Sequence, residues 1–333
     1  MVHGSSLFPY SGGRLRRALG AAMFTAASLI WVSPALAQNA ISLVVAATPG
    51  TGVDILARVL GRQILANRGT AVVVDNRPGA SGNIGAEHVA RAKPDGATLL
   101  VAATTFATNT FLNATTLPYN PVRDFAPIAL LGIGALCLVV PASYPANTLQ
   151  EFISAAKAKP GSINYASPGN GTPQHLAMEL VKLEAGIDLF HVPYKGTSGA
   201  LTDVAGGHVS AMIAPIHTVM PLVASGKLKA LAVMSLERFP GLPNVPTFRE
   251  LGLPKVQIDV WYGLFAPAGT APATLAQLNK DVNLALKGDG VAQSLSRQGI
   301  VPAGGSPQQL ARKLQDELDR WPPIIKAANI TAD

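Results

Sequence analysis

Ile41-Ser-Leu-Val-Val45, followed shortly by Thr48-Pro-Gly-Thr-Gly-Val-Asp54, is the stretch on which the fold turns. Four apolar residues in five read as a buried strand, and two glycines then admit the chain to a helix over Val53 to Leu65. In that helix Ile55 and Val59, and likewise Leu56, Leu60 and Ile64, recur at i, i+4 on shared faces. The first turn of a helix leaves about four backbone N–H groups without partners and carries roughly half a positive charge. Glycines beside it let a carboxylate or phosphate come close. A second junction of the same kind stands at Ile163-Asn-Tyr-Ala-Ser167-Pro-Gly-Asn-Gly-Thr172-Pro-Gln-His175. Two such cradles in one chain point to a receptor that grips a small acid from both sides.

Working outward, short apolar runs alternate with helical stretches through most of the sequence, the pattern of a mainly parallel sheet wrapped by helices. Strands are predicted at Ser42–Ala46, Ala71–Val74, Thr98–Ala102, Leu136–Val140, Ile163–Ala166, Leu189–Val192, Val209–Ile213, Leu228–Met234 and Trp261–Ala266. Helices close the chain over Pro272–Leu286 and Pro307–Ala327, the latter expected to break at Pro322-Pro323. The two cradles lie about 120 residues apart, one in each half. The expectation is an α/β protein of two Rossmann-like domains: residues 38–138 plus 259–333 form the first and 139–258 the second. Two chain crossings then form a hinge, and ligand binds between the domains at the carboxyl ends of the strands.

The N-terminus carries Arg14, Arg16 and Arg17, an apolar run from Ala18 to Val32, and Ala35-Leu36-Ala37. This reads as a secretory signal peptide over residues 1–37, cleaved before Gln38, because the run falls short of the ~20 residues a spanning helix needs. The mature protein is thus expected outside the cytoplasm. The segment supplies three of the seven net positive charges, and no Lys or Arg run follows it, which argues against nucleic-acid binding. The one cysteine, Cys137, lies in an apolar strand and reads as a small buried hydrophobe.

In order along the chain come Thr48 to Asp54 with Leu56-Ala-Arg58, then Asp75-Asn-Arg-Pro-Gly-Ala-Ser-Gly-Asn-Ile-Gly-Ala86, Lys93-Pro-Asp-Gly96 and Leu117-Pro-Tyr-Asn-Pro-Val-Arg-Asp-Phe125. The Ser167 to His175 loop, Pro193-Tyr-Lys-Gly196, Leu201-Thr-Asp203 and Trp261-Tyr-Gly-Leu-Phe-Ala-Pro-Ala-Gly269 complete the set. This ordered set resembles the substrate-binding proteins of tripartite tricarboxylate transporters, the Bug-type receptors. The resemblance implies a two-lobed, type II periplasmic binding-protein fold closing on a small mono-, di- or tricarboxylate. It also implies a two-subunit integral membrane transporter as partner, a monomeric receptor and no cofactor. Ala46-Ala47 stand where the family has Pro-Phe, Thr51 where it has glycine and Val53 where it often has Thr. The lost aromatic leaves room for a bulkier acid.

The ligand-binding residues expected from the first cradle are Thr48, Pro49, Gly50, Thr51, Gly52, Val53 and Asp54, and from the second Ser167, Gly169, Asn170, Gly171, Thr172 and His175. Asn83 and Asp203 are expected beside the ligand, Asn83 first as a helix N-cap and Asp203 facing either cleft or solvent. Asp54 either complements its helix terminus or pairs with a ligand hydroxyl or ammonium. His175 and Glu179 share a helix face, but no third ligand follows at metal spacing. A hydrolase would need Gly-x-Ser-x-Gly, whereas Ser167 reads Ala166-Ser-Pro168 and Ser198 reads Thr197-Ser-Gly199. Binding without catalysis is the expectation, with a sensory receptor of the same fold as the alternative.

Overall fold

The computed structural model describes residues 40–112, 117–327 and Ile330. The expected signal peptide lies outside the described residues. The chain begins with β1 (Ile41–Val45), α1 (Gly52–Arg68), β2 (Val72–Asn76), α2 (Asn83–Ala90), β3 (Thr98–Ala103) and α3 (Thr105–Leu112). A 17-residue strand, β4 (Phe125–Pro141), leads to α4 (Leu149–Ala158), β5 (Asn164–Ser167), α5 (Pro173–Ala185), β6 (Phe190–Pro193), α6 (Thr197–Ala205), β7 (Ala211–Pro215), α7 (Ile216–Ala224) and β8 (Leu228–Val233). After it come β9 (Asp259–Pro267), α8 (Pro272–Leu286), α9 (Val291–Ser296), β10 (Ile300–Gly304) and α10 (Pro307–Ala327).

The strands run β2-β1-β3-β9-β4-β7-β5-β6, with β8 and β10 also paired to β4. Pairing is parallel at the outer strands, β1 with β2 and β3, and β5 with β6 and β7. At the centre β4 and β9 run antiparallel to their neighbours and to each other. β4 belongs to both halves of this mixed, curled sheet. Its first part pairs with β9 and β10 and its last part with β7 and β8. The sequence reading found only the second part, because Pro127, Gly132 and Gly134 look like breakers. Pro127 sits where the β4–β9 register shifts, and a Cβ on Gly132 would stand 3.0 Å from the Val301 carbonyl oxygen, so this glycine lets β10 come close.

Alternation along the strands assigns each half a core on both faces. Leu43 and Val45 pack with Leu56, Leu60, Leu99 and Val282, while Val44 points the other way to Leu100, Phe106 and Phe265. In β4 the same alternation sends Leu136 and Leu138 toward Phe152, Leu176 and Phe248, and Cys137 and Val139 toward Ala200, Val204 and Val219. Burial pushes the Cys137 thiol up to about 12, so it stays protonated.

The last helix departs from expectation. α10 continues through Pro322 and Pro323. It is pinned on both sides of them, with Leu310 and Leu314 in the core around Phe265 and Trp321 and Ile324 in the core around Phe152. The Trp321 indole also donates to Glu317 at 2.7 Å. Burial of these side chains, about 1.5 to 3 kcal/mol each, outweighs the lost helix bonds. No helix of the described residues is long and apolar enough to cross a membrane.

Candidate functional site

A cleft of about 570 Å³ opens at the carboxyl ends of the strands, and both glycine turns line it. Gly50, Thr51, Gly52 and Val53 come from the first turn, and Pro168, Thr172, Pro173 and Gln174 from the second. Other helices send their first turns to the same space. Thr105 opens α3, Thr197 and Ser198 open α6, and His217 and Thr218 open α7. α1, α6 and α7 have no side-chain cap at their N-termini, so their leading amides are left for water or a ligand. Among the described residues no Asp, Glu, Lys or Arg side chain lines the cleft. The means it offers an anion are therefore peptide dipoles, amides and hydroxyls.

Thr51 occupies the N-cap of α1 in extended conformation, but its hydroxyl donates backwards to the Thr48 carbonyl at 2.9 Å instead of capping the helix. Asp54, expected as a terminus charge or a ligand partner, is buried and does not line the cleft. Its carboxylate accepts from the Gly50 amide at 2.9 Å, from Arg58 at 3.0 Å and from Asn76 at 3.0 Å, and so ties down the turn. Burial alone would raise its pKa, but the bonds from Arg58, Gly50 and Asn76 outweigh it and hold the carboxyl below its ordinary value. The Gly50 amide is thus engaged within the turn. Thr48 and Pro49 are exposed and stand outside the cleft lining.

The second turn is tied from beneath in the same way. Thr172 caps α5 by accepting from the His175 amide at 3.4 Å, and Pro173 follows at the first helical position. His175 is buried below the turn; its Nδ1 accepts from the Gly171 amide at 3.0 Å, which leaves the ring proton on Nε2. The imidazole stacks on His191 with centroids 3.9 Å apart. Burial, with His191 and Lys182 nearby, lowers its pKa to about 3, so it is neutral. Ser167 is fully buried, bonded to His191 at 2.6 Å and to both polar groups of Gly169. Of this turn's expected residues, Thr172 lines the cleft; Ser167, Gly169, Asn170, Gly171 and His175 do not.

Asn83 is also displaced from its expected role. Gly82 is the N-cap of α2, and the buried Asn83 carbonyl accepts from Asn109 at 2.7 Å and Tyr119 at 2.9 Å. Asn109 also donates to the Ser81 carbonyl, supporting a turn in which Ala80 and Ser81 adopt φ of 46° and 55°. Ser81 and Gly82 line the cleft; Asn83 stands behind them. Asp203 is half-buried on α6, accepts from the Tyr194 hydroxyl at 2.6 Å and does not line the cleft. Polar lining residues that sequence reasoning missed include Ser81, Thr104, Thr105, Gln174, Thr197, Ser198, His217, Thr218, Tyr262 and Gln298. Thr105, Thr197, His217 and Thr218 each sit three to five positions beyond the end of a predicted strand, and that shared placement is a signal present in the sequence.

These features define a class: a two-lobed α/β binding protein with its site at the strand ends. The chain belongs to the tripartite tricarboxylate transporter receptor family (TctC), whose pattern it matches over residues 56–330. It is 36% identical over 321 residues to the UPF0065 protein in the tcbD–tcbE intergenic region of Pseudomonas sp. (strain P51), spanning 96% of this chain and 95% of that one. Among solved structures it is similar to R. palustris Rpa4515 with adipate, at 33% identity and a TM-score of 0.78 over 88% of this chain and 98% of that one. MatC (Rpa3494) from Rhodopseudomonas palustris with bound malate gives 33% identity and a TM-score of 0.74 over 86% and 98%. Members of this family are periplasmic binding proteins rather than enzymes.

Proposed function

We propose that this protein captures a small carboxylate between its lobes and delivers it to a two-subunit membrane transporter, after export directed by a cleaved signal at residues 1–37. The receptor acts as a monomer, with residues 38–138 and 259–333 as one lobe and 139–258 as the other. Helix N-termini from both lobes meeting over a cleft without charged side chains carry this reading. Such a site suits an anion held by amides and hydroxyls, and adipate and malate in similar proteins are of that chemistry. In the bound state Thr51, Gly52, Val53 and Thr172 contact the acid, while Gly50, Asp54, Ser167, Gly169, Gly171 and His175 shape the two turns. The widened wall at Ala46 and Ala47, both on the cleft, leaves space for a substituent on the acid.

Isothermal calorimetry on the mature protein with adipate, malate and citrate, against neutral sugars and amines, tests the proposal. One acid per chain is expected, with an affinity that changes modestly with salt because backbone dipoles and not exposed cations supply the attraction. A response to sugars or amines alone would sink it.

A further inference from the structure

His217 opens α7 and faces the cleft from the half of the sheet that holds β7. The Gln298 backbone, in the turn between α9 and β10, approaches its ring from the opposite half of the sheet and favours its charged form. That turn is close, since a Cβ on Gly299 would stand 3.1 Å from the His217 amide nitrogen. The imidazole thus stands where the two sides of the cleft meet.

Among the described residues no charged side chain lines the cleft around this ring. α7 carries no charged residue, and neither does α9. β9 presents Tyr262, whose hydroxyl burial pushes up to about 12 and keeps neutral. Asp259, on the alternate face of β9, interacts with Lys313, Glu317 and Arg320 and does not line the cleft. β7 and α6 offer Pro215, Thr197 and Ser198, and β4 offers Gly134 and Ala135. Arg297, beside Gln298, is exposed. Burial lowers the His217 pKa and the Gln298 backbone partly restores it, with no neighbouring charge contributing.

We propose that His217 is a specificity-determining residue which takes up a proton and pairs with the second carboxylate of a dianionic ligand, coupling dicarboxylate binding to proton uptake. This rests on the reading of the cleft as a carboxylate site. An anion held by the leading amides of α1 satisfies one end of the ligand, while a second carboxylate reaching α7 meets uncapped amides and an imidazole that has no competing anion. Protonation then turns a neutral hydrogen bond into a charge-assisted one. Because the free ring titrates below its ordinary value and the paired ring above the free one, affinity rises as pH falls through the value of the complex.

Calorimetry with adipate and hexanoate, between pH 8.5 and 6.5 and in buffers of differing ionisation enthalpy, reads this directly. Adipate is expected to bind at least about threefold tighter at pH 6.5 with net proton uptake, since an opposite charge shifts such a group by about one to three units. Hexanoate, lacking the second carboxylate, and adipate with His217→Gln are expected to show neither the slope nor the proton. Adipate binding that is independent of pH, or a slope that survives His217→Gln, would overturn the proposal and leave the carboxylate reading standing. If adipate, hexanoate, malate and citrate all fail to bind, both fall.

Discussion

The two glycine turns solve one problem with different chemistry. In each, a glycine amide is held by the side chain four residues on, Gly50 by the Asp54 carboxylate and Gly171 by the His175 imidazole. The first bracket is ionic and partly open, because Asp54 also holds Arg58, half-exposed at 48%. The second is uncharged and buried, stacked against His191 and tilted toward Tyr165. A loop can therefore be fixed for ligand either by charge at the surface or by shape and hydrogen bonding inside, and the two should fail under different insults.

The largest expected contrast is steric. Gly171 has φ of 67° and a Cβ there would run into Leu112 of α3, whereas Gly50, at φ of 83°, would place its Cβ in open space. Gly171→Ala should lose about 2 to 5 kcal/mol, the left-handed penalty plus overpacking. Gly50→Ala should lose only the left-handed penalty, about 1 to 2 kcal/mol. Urea unfolding of both variants measures the gap. Equal losses would show that the second turn is no more tightly packed than the first.

How far the sequence reveals this arrangement depends on how local each feature is. Both turns are legible, because an apolar run, glycines and an i, i+4 face lie within about 25 residues. The paired spacing Gly50 to Asp54 and Gly171 to His175 is also visible once its meaning is known. The long β4 is not, since Gly132 and Gly134 look like interruptions until β10 and Tyr262 come to lie against them. Nor is the direction of Asp54, Asn83 and His175. Each is a polar residue beside a ligand-type loop, and only the tertiary partners Asn76, Tyr119 and His191 decide that it supports the loop from behind. Convergence of α3, α6 and α7 on the cleft is a property of the sheet order and of no single segment.

A smaller effect separates the brackets themselves. Asp54→Ala deprives three donors, the Gly50 amide, Arg58 and Asn76, of their acceptor. His175→Leu deprives the Gly171 amide alone and keeps the apolar contacts of the ring. A loss of about 2 kcal/mol is expected for Asp54→Ala and about 1 kcal/mol for His175→Leu, after allowing water to rescue the exposed Arg58. Thermal or urea unfolding at pH 7.5 gives the ranking. The reverse order would mean that the buried imidazole stack, and not the count of donors, sets the strength of a bracket.

The finest distinction is in pH. The His175 pKa is depressed to about 3 in the folded protein, so the unfolded chain binds more protons below about pH 6.5. Its contribution to stability is complete above that value and is lost progressively as pH falls toward 3, by about 1 kcal/mol between pH 6.5 and 5.5. Asp54 is also depressed, but from a carboxylate's ordinary value near 4, so its contribution is intact across that window and is lost only in stronger acid. His217 adds to the wild-type slope through its own lowered value. The decisive quantity is therefore the difference between wild type and His175→Leu, measured by urea unfolding at pH 6.5 and 5.5. The variant should lose about 1 kcal/mol less than wild type across that interval, while Asp54→Ala should parallel it. If the His175→Leu profile also parallels wild type, the imidazole is not held neutral by burial, and the two turns are bracketed by groups that differ in kind but not in their response to protons.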